Sequence, residues 1–269
     1  MKRAVTAWKW SLGVLARSLQ TVIVLAALLA LWVFAAYEWL GMPAESSVLL
    51  MILSAIWAIA QLLAAAVMVA GTLAGAGETA ASENGSFPLR TLWTLGRKNV
   101  VATLGICIVS LILVWICGTA FSWVNAHAVE VASYLTFHSE KPVSHELIEN
   151  IYFGIEWLLW IIVSGFLLNF FVVMSRAGWK RAAEQSAKML AASTFRTPVL
   201  TNLLSVVVTG GLAYKLTHWH PMVPPGFWDY TQVIVRFALA LLILSAGVLF
   251  WSLSLARLLS LEQDPSQAK

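Results

Sequence analysis

The residues best equipped for metal or proton chemistry are five histidines: His127, His138, His145, His218 and His220. If a helix continues past His127, spacings of three and four residues place a polar stripe on one helix face, made of His127, Glu130, Tyr134 and His138. Imidazole and carboxylate groups together suit zinc or a similar metal. The candidate metal ligands are therefore His127, His138, His218 and His220.

The competing interpretation is that these polar residues simply occupy water-exposed loops, and we favour it. No pair of histidines shows a strong ligand signature, and we expect His218 and His220 not to form a tight site with His127 or His138. The sequence therefore predicts no metal and no other cofactor.

Two charged residues, Glu156 and Arg236, lie inside apolar stretches, where ionisable side chains are candidates for function. Each lies five residues into its stretch, counted from Ile151 and Thr231, so both are predicted at ~7–8 Å depth on the same side of a membrane. An ion pair between them is the hypothesis that follows, because a planar guanidinium fits a carboxylate. The alternative is that Arg236 extends outward to the headgroups by itself.

Three neutral amides, Gln61, Asn169 and Asn202, accompany these charges within the apolar stretches. Together with Glu156 and Arg236 they are the candidate binding residues, since polar groups at this depth line the paths of some transported substrates. The alternative, which we favour for the amides, is a structural hydrogen bond between helices, contributing about 0.6 kcal/mol each.

Motifs for nucleotide binding and for common hydrolytic chemistry are missing from the sequence. The chain contains no Gly-x-x-x-x-Gly-Lys-Ser/Thr, no His-Glu-x-x-His and no Gly-x-Ser-x-Gly. Its two cysteines, Cys107 and Cys117, are ten residues apart on one expected helix, which is too far for a disulfide. We therefore expect a protein that is not an enzyme.

Composition predicts that all these residues belong to a membrane domain. Apolar residues make up 60% of the 269 residues and charged residues 11%, against about 25% charged in soluble domains. A spanning helix needs roughly 20 mostly apolar residues. Six stretches qualify: Leu19–Trp39, Val48–Leu73, Val100–Val124, Ile151–Met174, Val199–Leu216 and Gln232–Ala256. The sequence thus predicts one all-α, polytopic membrane domain over residues 1–269.

The distribution of lysine and arginine predicts how this domain is oriented. With the N-terminus in the cytoplasm, 14 of the 17 basic residues fall on the cytoplasmic side, and only Lys141, Lys215 and Arg236 fall outside. Tryptophans flank the stretches at both ends, as in the aromatic belts of membrane proteins. We therefore expect a multi-pass protein of the plasma (inner) membrane with both termini in the cytoplasm.

A short repeat indicates how the six helices are arranged. Trp10-Ser11-Leu12-Gly13 recurs as Trp93-Thr94-Leu95-Gly96, 83 residues later. The repeat predicts three helical hairpins, with Ala7–Leu15 and Leu89–Lys98 as short interfacial helices that carry Trp10 and Trp93 into equivalent positions. The alternative is that any basic, aromatic segment at a membrane interface looks alike.

Small residues mark two further features at the cytoplasmic side. Gly71-x-x-x-Gly75 is a candidate face for close helix packing. Residues 74–86 are small and polar, which predicts a flexible link.

Two classes of function fit this architecture best. The first is a small transporter or permease-like subunit, favoured by the six helices, the repeat and the intramembrane polar residues. The second is a non-catalytic membrane scaffold or assembly factor, favoured by short loops and missing catalytic motifs. An outer-face metalloenzyme using the histidines ranks third. The expected partners are the lipid bilayer and other membrane subunits, and not nucleic acid.

Overall fold

The computed structural model of this chain describes residues 2–41, 47–82, 85–139, 141–194, 196–218 and 227–263, and every regular element in these ranges is a helix. The helices are α1 (Lys2–Arg17), α2 (Leu19–Leu40), α3 (Val48–Ala81), α4 (Leu89–Ala126), α5 (Ala128–Ser139), α6 (His145–Ala177), α7 (Trp179–Glu184), α8 (Ser186–Thr194), α9 (Arg196–Ser205), α10 (Gly211–His218) and α11 (Phe227–Gln263). A π-helical turn, Val206–Gly210, joins α9 to α10.

Within the described ranges, six helical segments are long and apolar enough to cross a membrane: Leu19–Leu40, Val48–Ala81, Leu89–Ala126, His145–Met174, Val199–His218 and Tyr230–Ser260. Each contains one of the stretches predicted from hydropathy, so the all-helical architecture with six such segments is confirmed. Several helices are longer than predicted, because hydropathy detects where side chains become polar and not where a helix stops. The fifth segment is composite, made of α9, the π turn and α10.

The two ends of the helix bundle differ in chemistry, and we name them accordingly. The basic end holds α1, the turn between α3 and α4, the first turns of α4, and the short helices α7 and α8. Together these elements carry ten of the seventeen lysines and arginines. The histidine end holds α5 and the last turn of α10, with His127, His138 and His218. Two sets of hydrogen bonds lie at the basic end. One joins the turn 85–88 to the start of α2, and the other joins α1 to the C-terminal part of α11.

Helix α11 occupies the centre of the bundle and contacts α1, α2, α3, α6, α9 and α10. Its C-terminal half explains this position, because five consecutive residues, Ser252–Ala256, are buried. A helix buried on all sides requires neighbours all round. Small serines allow α1 to approach closely on one side, where the Ser254 hydroxyl donates to the Ser11 hydroxyl at 3.0 Å.

The turn between α3 and α4 is fixed to the junction of α1 and α2. The Ser18 hydroxyl accepts a hydrogen bond from the Phe87 amide, and the Thr21 hydroxyl donates to the Phe87 carbonyl, both at 2.8 Å. The Phe87 ring is 2% exposed. The prediction of a flexible link was wrong for residues 74–81, which continue α3, while residues 83–84 lie outside the described ranges. The hydroxyls of Ser18 and Thr21 hold Phe87 just after this stretch.

Two glycines of α3 explain why this region packs tightly. A Cβ atom on Gly71 would lie 2.8 Å from the carbonyl carbon of Leu92, and one on Gly75 would lie 2.8 Å from the Phe87 ring. On the facing helix, a Cβ on Gly96 would lie 2.9 Å from a methyl of Val67. Each helix therefore needs glycine where the other backbone or ring approaches, and Gly71-x-x-x-Gly75 is a close-packing face.

A basic residue, Arg257, takes part in this packing. Its guanidinium donates to the carbonyl of Ala80 at 3.2 Å and lies 5.2 Å from the ring centroid of Trp10. The hydrogen bond connects α11 to the last turn of α3, and the cation–π contact connects it to α1.

Tryptophan side chains connect α2 and α3 toward the histidine end. The Trp32 indole donates to the carbonyl of Gln61 at 3.0 Å, and the Trp39 indole donates to the hydroxyl of Ser54 at 2.8 Å. Trp57 of α3 donates in the other direction, to the carbonyl of Ala35 at 3.1 Å. Most large apolar side chains around them are exposed, so these hydrogen bonds join the two helices where few side chains are buried between them.

The structure corrects the prediction made from the Trp-Ser/Thr-Leu-Gly repeat. Ala7–Leu15 lies within a separate helix, α1, but Leu89–Lys98 forms the first turns of the continuous helix α4. Trp10 is half-buried against Arg257, whereas Trp93 is 59% exposed. Arg90, Arg97 and Lys98 lower the hydropathy of this stretch without breaking the helix, and for that reason sequence pattern alone suggested a separate element.

Candidate functional site: an apolar cavity

A cavity of about 530 Å³ lies in the middle of the bundle, between α2, α3, α4, α6 and α11. This volume falls within the range of about 300–1,000 Å³ that is typical of small-molecule sites. Its lining comprises Leu25, Leu29 and Trp32 of α2; Ala65, Met68, Val69, Thr72 and Leu73 of α3; Thr103, Ile106, Cys107 and Ser110 of α4; Ser164, Leu167, Leu168 and Phe171 of α6; and Leu244, Ser245, Val248 and Trp251 of α11.

The floor of the cavity adjoins the packed basic end. Leu168 and Phe171 are 2% and 1% exposed and belong to the cores that join α6 to α3, α7 and α11. Toward the histidine end, the neighbouring turns of α3, α4 and α6 carry exposed apolar residues such as Leu62, Leu111 and Leu158. The cavity therefore lies where close packing gives way to separated helices.

Two tryptophans of the cavity wall are held by hydrogen bonds to other helices. Trp251 donates its indole N–H to the side-chain oxygen of Asn202 on α9, and the Asn202 amide donates to the carbonyl of Ile161 on α6 at 2.8 Å. Trp32 is held by the carbonyl of Gln61. These bonds satisfy the indole N–H groups away from the cavity and leave the rings to line it.

Hydroxyl groups are the main polar feature of the described lining, and four of the five are already bonded within their own helices. Thr72, Thr103, Ser110 and Ser164 donate to carbonyls three or four residues earlier, at 2.8–3.0 Å. The fifth, Ser245, is 1% exposed, and its hydroxyl has no hydrogen-bond partner.

The chemistry open to this cavity follows from its lining. None of the described residues that face it is charged, and Cys107 is the one thiol among them. A site without an acid, a base or a counter-charge does not stabilise an ion, since burying an unpaired charge is costly. The cavity is instead suited to hold an apolar molecule, because the ligand and the wall both leave lipid or water for a matching surface.

The three amides predicted as binding residues lie outside this lining. Asn202 is 1% exposed and joins α9, α6 and α11 through the bonds described above, which is the structural role we favoured. Gln61 lies one turn beyond Ala65 on α3, and its backbone carbonyl holds Trp32. Asn169 is 2% exposed within α6. Their part in binding stays a prediction.

Glu156 and Arg236 are half-buried, and the structure does not join them. The Arg236 Nε donates to the carbonyl of Gln232, one turn earlier on the same helix, at 3.3 Å. In the described part of the chain, no carboxylate oxygen lies within 4.0 Å of its guanidinium. The ion-pair hypothesis was wrong: the buried contact between α6 and α11 instead joins Leu168 and Val172 to Leu255 and Leu258 near the basic end.

The three described metal candidates, His127, His138 and His218, share a local arrangement. Each ring lies against an aromatic ring four residues earlier, Trp123, Tyr134 or Tyr214, with centroids 3.9–4.4 Å apart. In each, Nδ1 is 2.8–3.1 Å from the carbonyl of that aromatic residue. Across the described ranges, no three His, Cys, Asp or Glu side chains are close enough to hold a metal ion. His220 lies outside these ranges.

The predicted amphipathic continuation past helix α4 is present as α5. A break at His127 separates the two helices. Ala128 and Ala132 are buried against Ile148 of α6, with Val131 packed beside them, while Tyr134 is 61% exposed. The polar stripe thus lies on the surface at the histidine end and is separate from the cavity.

The cavity itself was missed by the sequence analysis, which searched for charged and amide side chains. Its walls are leucine, methionine, valine and tryptophan, the same types that face lipid. The usable signal was the set of Thr and Ser residues at mid-helix positions of four different helices: Thr72, Thr103, Ser110, Ser164 and Ser245.

Comparison with known proteins adds no assignment to these observations: no protein family model, no curated protein and no solved structure matches this chain.

Proposed function

We propose that this chain is a small membrane transporter or permease-like subunit that takes an apolar, long-chain ligand from the bilayer into its central cavity. The observation that carries this proposal is the cavity of about 530 Å³ between five helices, lined almost wholly by apolar side chains. An apolar ligand needs no charge compensation in such a site, whereas an ion or a sugar would lose its hydration without replacement.

The membrane arrangement that accompanies this proposal has six spanning helices as three hairpins, with both termini in the cytoplasm and the basic end facing the cytoplasm. It is supported by the 14-to-3 distribution of basic residues and by the six apolar helical segments within the described ranges. In this orientation the cavity lies within the hydrocarbon layer. The surrounding membrane is proposed to be the plasma (inner) membrane.

Ligand entry is proposed to occur sideways from lipid, near the histidine half of the bundle. The supporting feature is the exposure of apolar residues next to the cavity on α3, α4 and α6, including Leu62, Leu111 and Leu158. A ligand that moves along these surfaces never crosses water. The tightly packed basic end closes the opposite side, so the proposed path has a single opening.

A transfer assay tests the proposal with two adjacent substitutions on α4. Cys107 lines the cavity, and its neighbour Ile108 is 57% exposed, at the same depth but on the outer surface. The purified protein is placed in vesicles that contain a pyrene-labelled hexadecane, and transfer to empty acceptor vesicles is followed by loss of excimer fluorescence. We expect the wild-type protein and Ile108→Trp to accelerate transfer and Cys107→Trp to lose most of that acceleration.

Equal transfer from vesicles with and without the protein would contradict the transporter proposal. Equal rates for the two tryptophan variants would contradict the role of the cavity. Both variants are first compared with the wild type by size-exclusion profile and thermal midpoint, so that misfolding is recognised.

The alternative proposal is a non-catalytic scaffold that binds another membrane subunit. The observation that favours it is an exposed face of α4, where Gly118, Ser122 and Ala126 form a shallow depression beside Trp115 and Trp123. Small residues of this kind let a second helix approach closely. In the transfer assay the scaffold predicts no acceleration by any form of the protein. Neither proposal assigns the chain a catalytic step.

A further inference from the structure

We propose that the ligand of the cavity is an uncharged long-chain compound that carries one hydroxyl or carbonyl group, and that this group hydrogen-bonds to Ser245. The inference rests on the proposed function, because it specifies what the cavity binds. It concerns recognition of the ligand and is independent of whether the protein moves it.

The first observation is that Ser245 departs from the behaviour of the other hydroxyls in the lining. Serine and threonine within helices commonly donate to the carbonyl three or four residues earlier. Thr103 and Ser110 do so on the opposite wall of the cavity, at 2.9 and 2.8 Å. Ser245 makes no such bond, although it lies in the middle of a regular helix.

The second observation is that Ser245 is almost completely buried and lines open space. It is 1% exposed and belongs to the cavity wall formed by α11. A buried hydroxyl without a partner destabilises the folded protein, because it has lost its hydrogen bonds to water. A bound group that supplies the missing partner recovers that cost, so this position favours a ligand with a matching polar group over a plain hydrocarbon.

A comparison with Ser205 shows that the combination of features matters. Ser205 also has a buried hydroxyl with no partner, at 6% exposure, but it does not line the cavity. Ser245 combines the free hydroxyl with adjacent space.

The position of Ser245 along α11 restricts the charge of the ligand group that can bind there. It lies fifteen residues from each end of the segment Tyr230–Ser260, which is the midpoint of the proposed span. A charge at the centre of a bilayer is costly, and the described lining offers no opposite charge. The group that reaches Ser245 is therefore neutral.

Cross-linking in lipid nanodiscs tests this inference with two probes of equal chain length. One is hexadecan-1-ol with a diazirine in its chain, and the other is hexadecane with the same diazirine. Yields are measured at increasing probe fraction for the wild type, Ser245→Ala and Ser110→Ala. Ser110 is the matched control, because it lines the same cavity and its hydroxyl is bonded to Ile106.

We expect the wild type to bind the alcohol about 5-fold more tightly than the alkane, which corresponds to one net hydrogen bond. Ser245→Ala should remove that preference by weakening alcohol binding alone, and Ser110→Ala should retain it. A conservative variant, Ser245→Thr, keeps a hydroxyl at this position and should retain a preference for the alcohol.

Equal binding of both probes to the wild type, or an unchanged preference in Ser245→Ala, would overturn the inference while leaving the apolar site in place. Failure of both probes to label the cavity would overturn the inference together with the proposed function. A preference lost in Ser110→Ala as well as in Ser245→Ala would also overturn it, because the effect would then not depend on the free hydroxyl.

Discussion

The basic half and the histidine half of this bundle are built from the same apolar residue types but are packed in opposite ways. At the basic end, glycines, serines and alanines bring helices together around buried rings such as Phe87 and Phe171. Toward the histidine end, the apolar side chains of α2, α3, α4 and α6 are mostly exposed, and single tryptophan hydrogen bonds connect α2 to α3. The cavity forms at the boundary between these two modes of packing.

This difference shows that hydrophobicity alone does not hold such helices together. In lipid, an apolar side chain gains little by leaving the tails for a neighbouring helix, so close packing and hydrogen bonds decide which faces associate. Small residues at Gly71, Gly75 and Gly96 provide close packing at the basic end. Toward the histidine end, Gly105, Gly118 and Gly154 have no neighbouring atom within 4 Å of a built Cβ, so the helices there stay apart even where glycine would allow close approach.

The comparison predicts its largest loss of stability for a buried phenylalanine, Phe87, measured against an exposed one, Phe137. Phe87→Ala removes a ring that is 2% exposed, and we expect it to cost about 4 kcal/mol, because a buried Phe→Ala change loses apolar burial and leaves a cavity. Phe137→Ala is the matched control, since that ring is 84% exposed. Thermal unfolding midpoints in detergent measure both. Similar midpoints for the two variants would show that the two halves are not packed differently.

A smaller effect is expected when glycine is replaced at the contact between α3 and α4. Gly71→Ala forces a methyl group against the backbone of Leu92 and should cost about 2 kcal/mol through overpacking. Gly105→Ala on α4 has open space around its Cβ and should be neutral or slightly stabilising, because alanine is the better helix former. The same thermal measurement decides between them. A neutral Gly71→Ala would remove close packing as the cause of the tight half.

The smallest effect is expected for the hydrogen bonds between α2 and α3. Trp39→Phe keeps an aromatic ring but loses the donor to Ser54, and we expect a cost of about 0.6 kcal/mol, the average for such bonds between membrane helices. Trp115→Phe, at a position 71% exposed, is the control. A cost of several kcal/mol for Trp39→Phe would mean that the histidine half depends on hydrogen bonds far more than the comparison allows.

The sequence was sufficient for the parts of the fold that depend on the hydropathy of a local stretch, and insufficient for the parts that depend on contacts between helices. Hydropathy located all six long segments, because a span of about 20 apolar residues is visible locally. It did not locate the start of α4 at Leu89, since Arg90 and Arg97 are compatible with a helix that continues beyond the apolar region.

The candidate site was less accessible to sequence reasoning for a physical reason. Glu156 and Arg236 were conspicuous as charges, but whether they meet depends on which ends of α6 and α11 converge, and that is set by packing around Leu168 and Val172. The Asn202 bonds to Trp251 and Ile161 join residues 49 and 41 positions apart. The cavity cannot be recognised from the sequence around Leu25 or Val69, because leucine and valine also occupy the exposed outer surface of the bundle.

The central claim is that an apolar ligand occupies the space between α2, α3, α4, α6 and α11. The most direct measurement is to map, by peptide mass spectrometry, the residues labelled by hexadecane carrying a diazirine in nanodiscs. We predict labels on cavity residues such as Cys107, Leu167 and Val248 in the wild type and in Ile108→Trp, and their loss in Cys107→Trp. Labels confined to outward-facing residues such as Ile108 and Leu111, unchanged in Cys107→Trp, would contradict the claim.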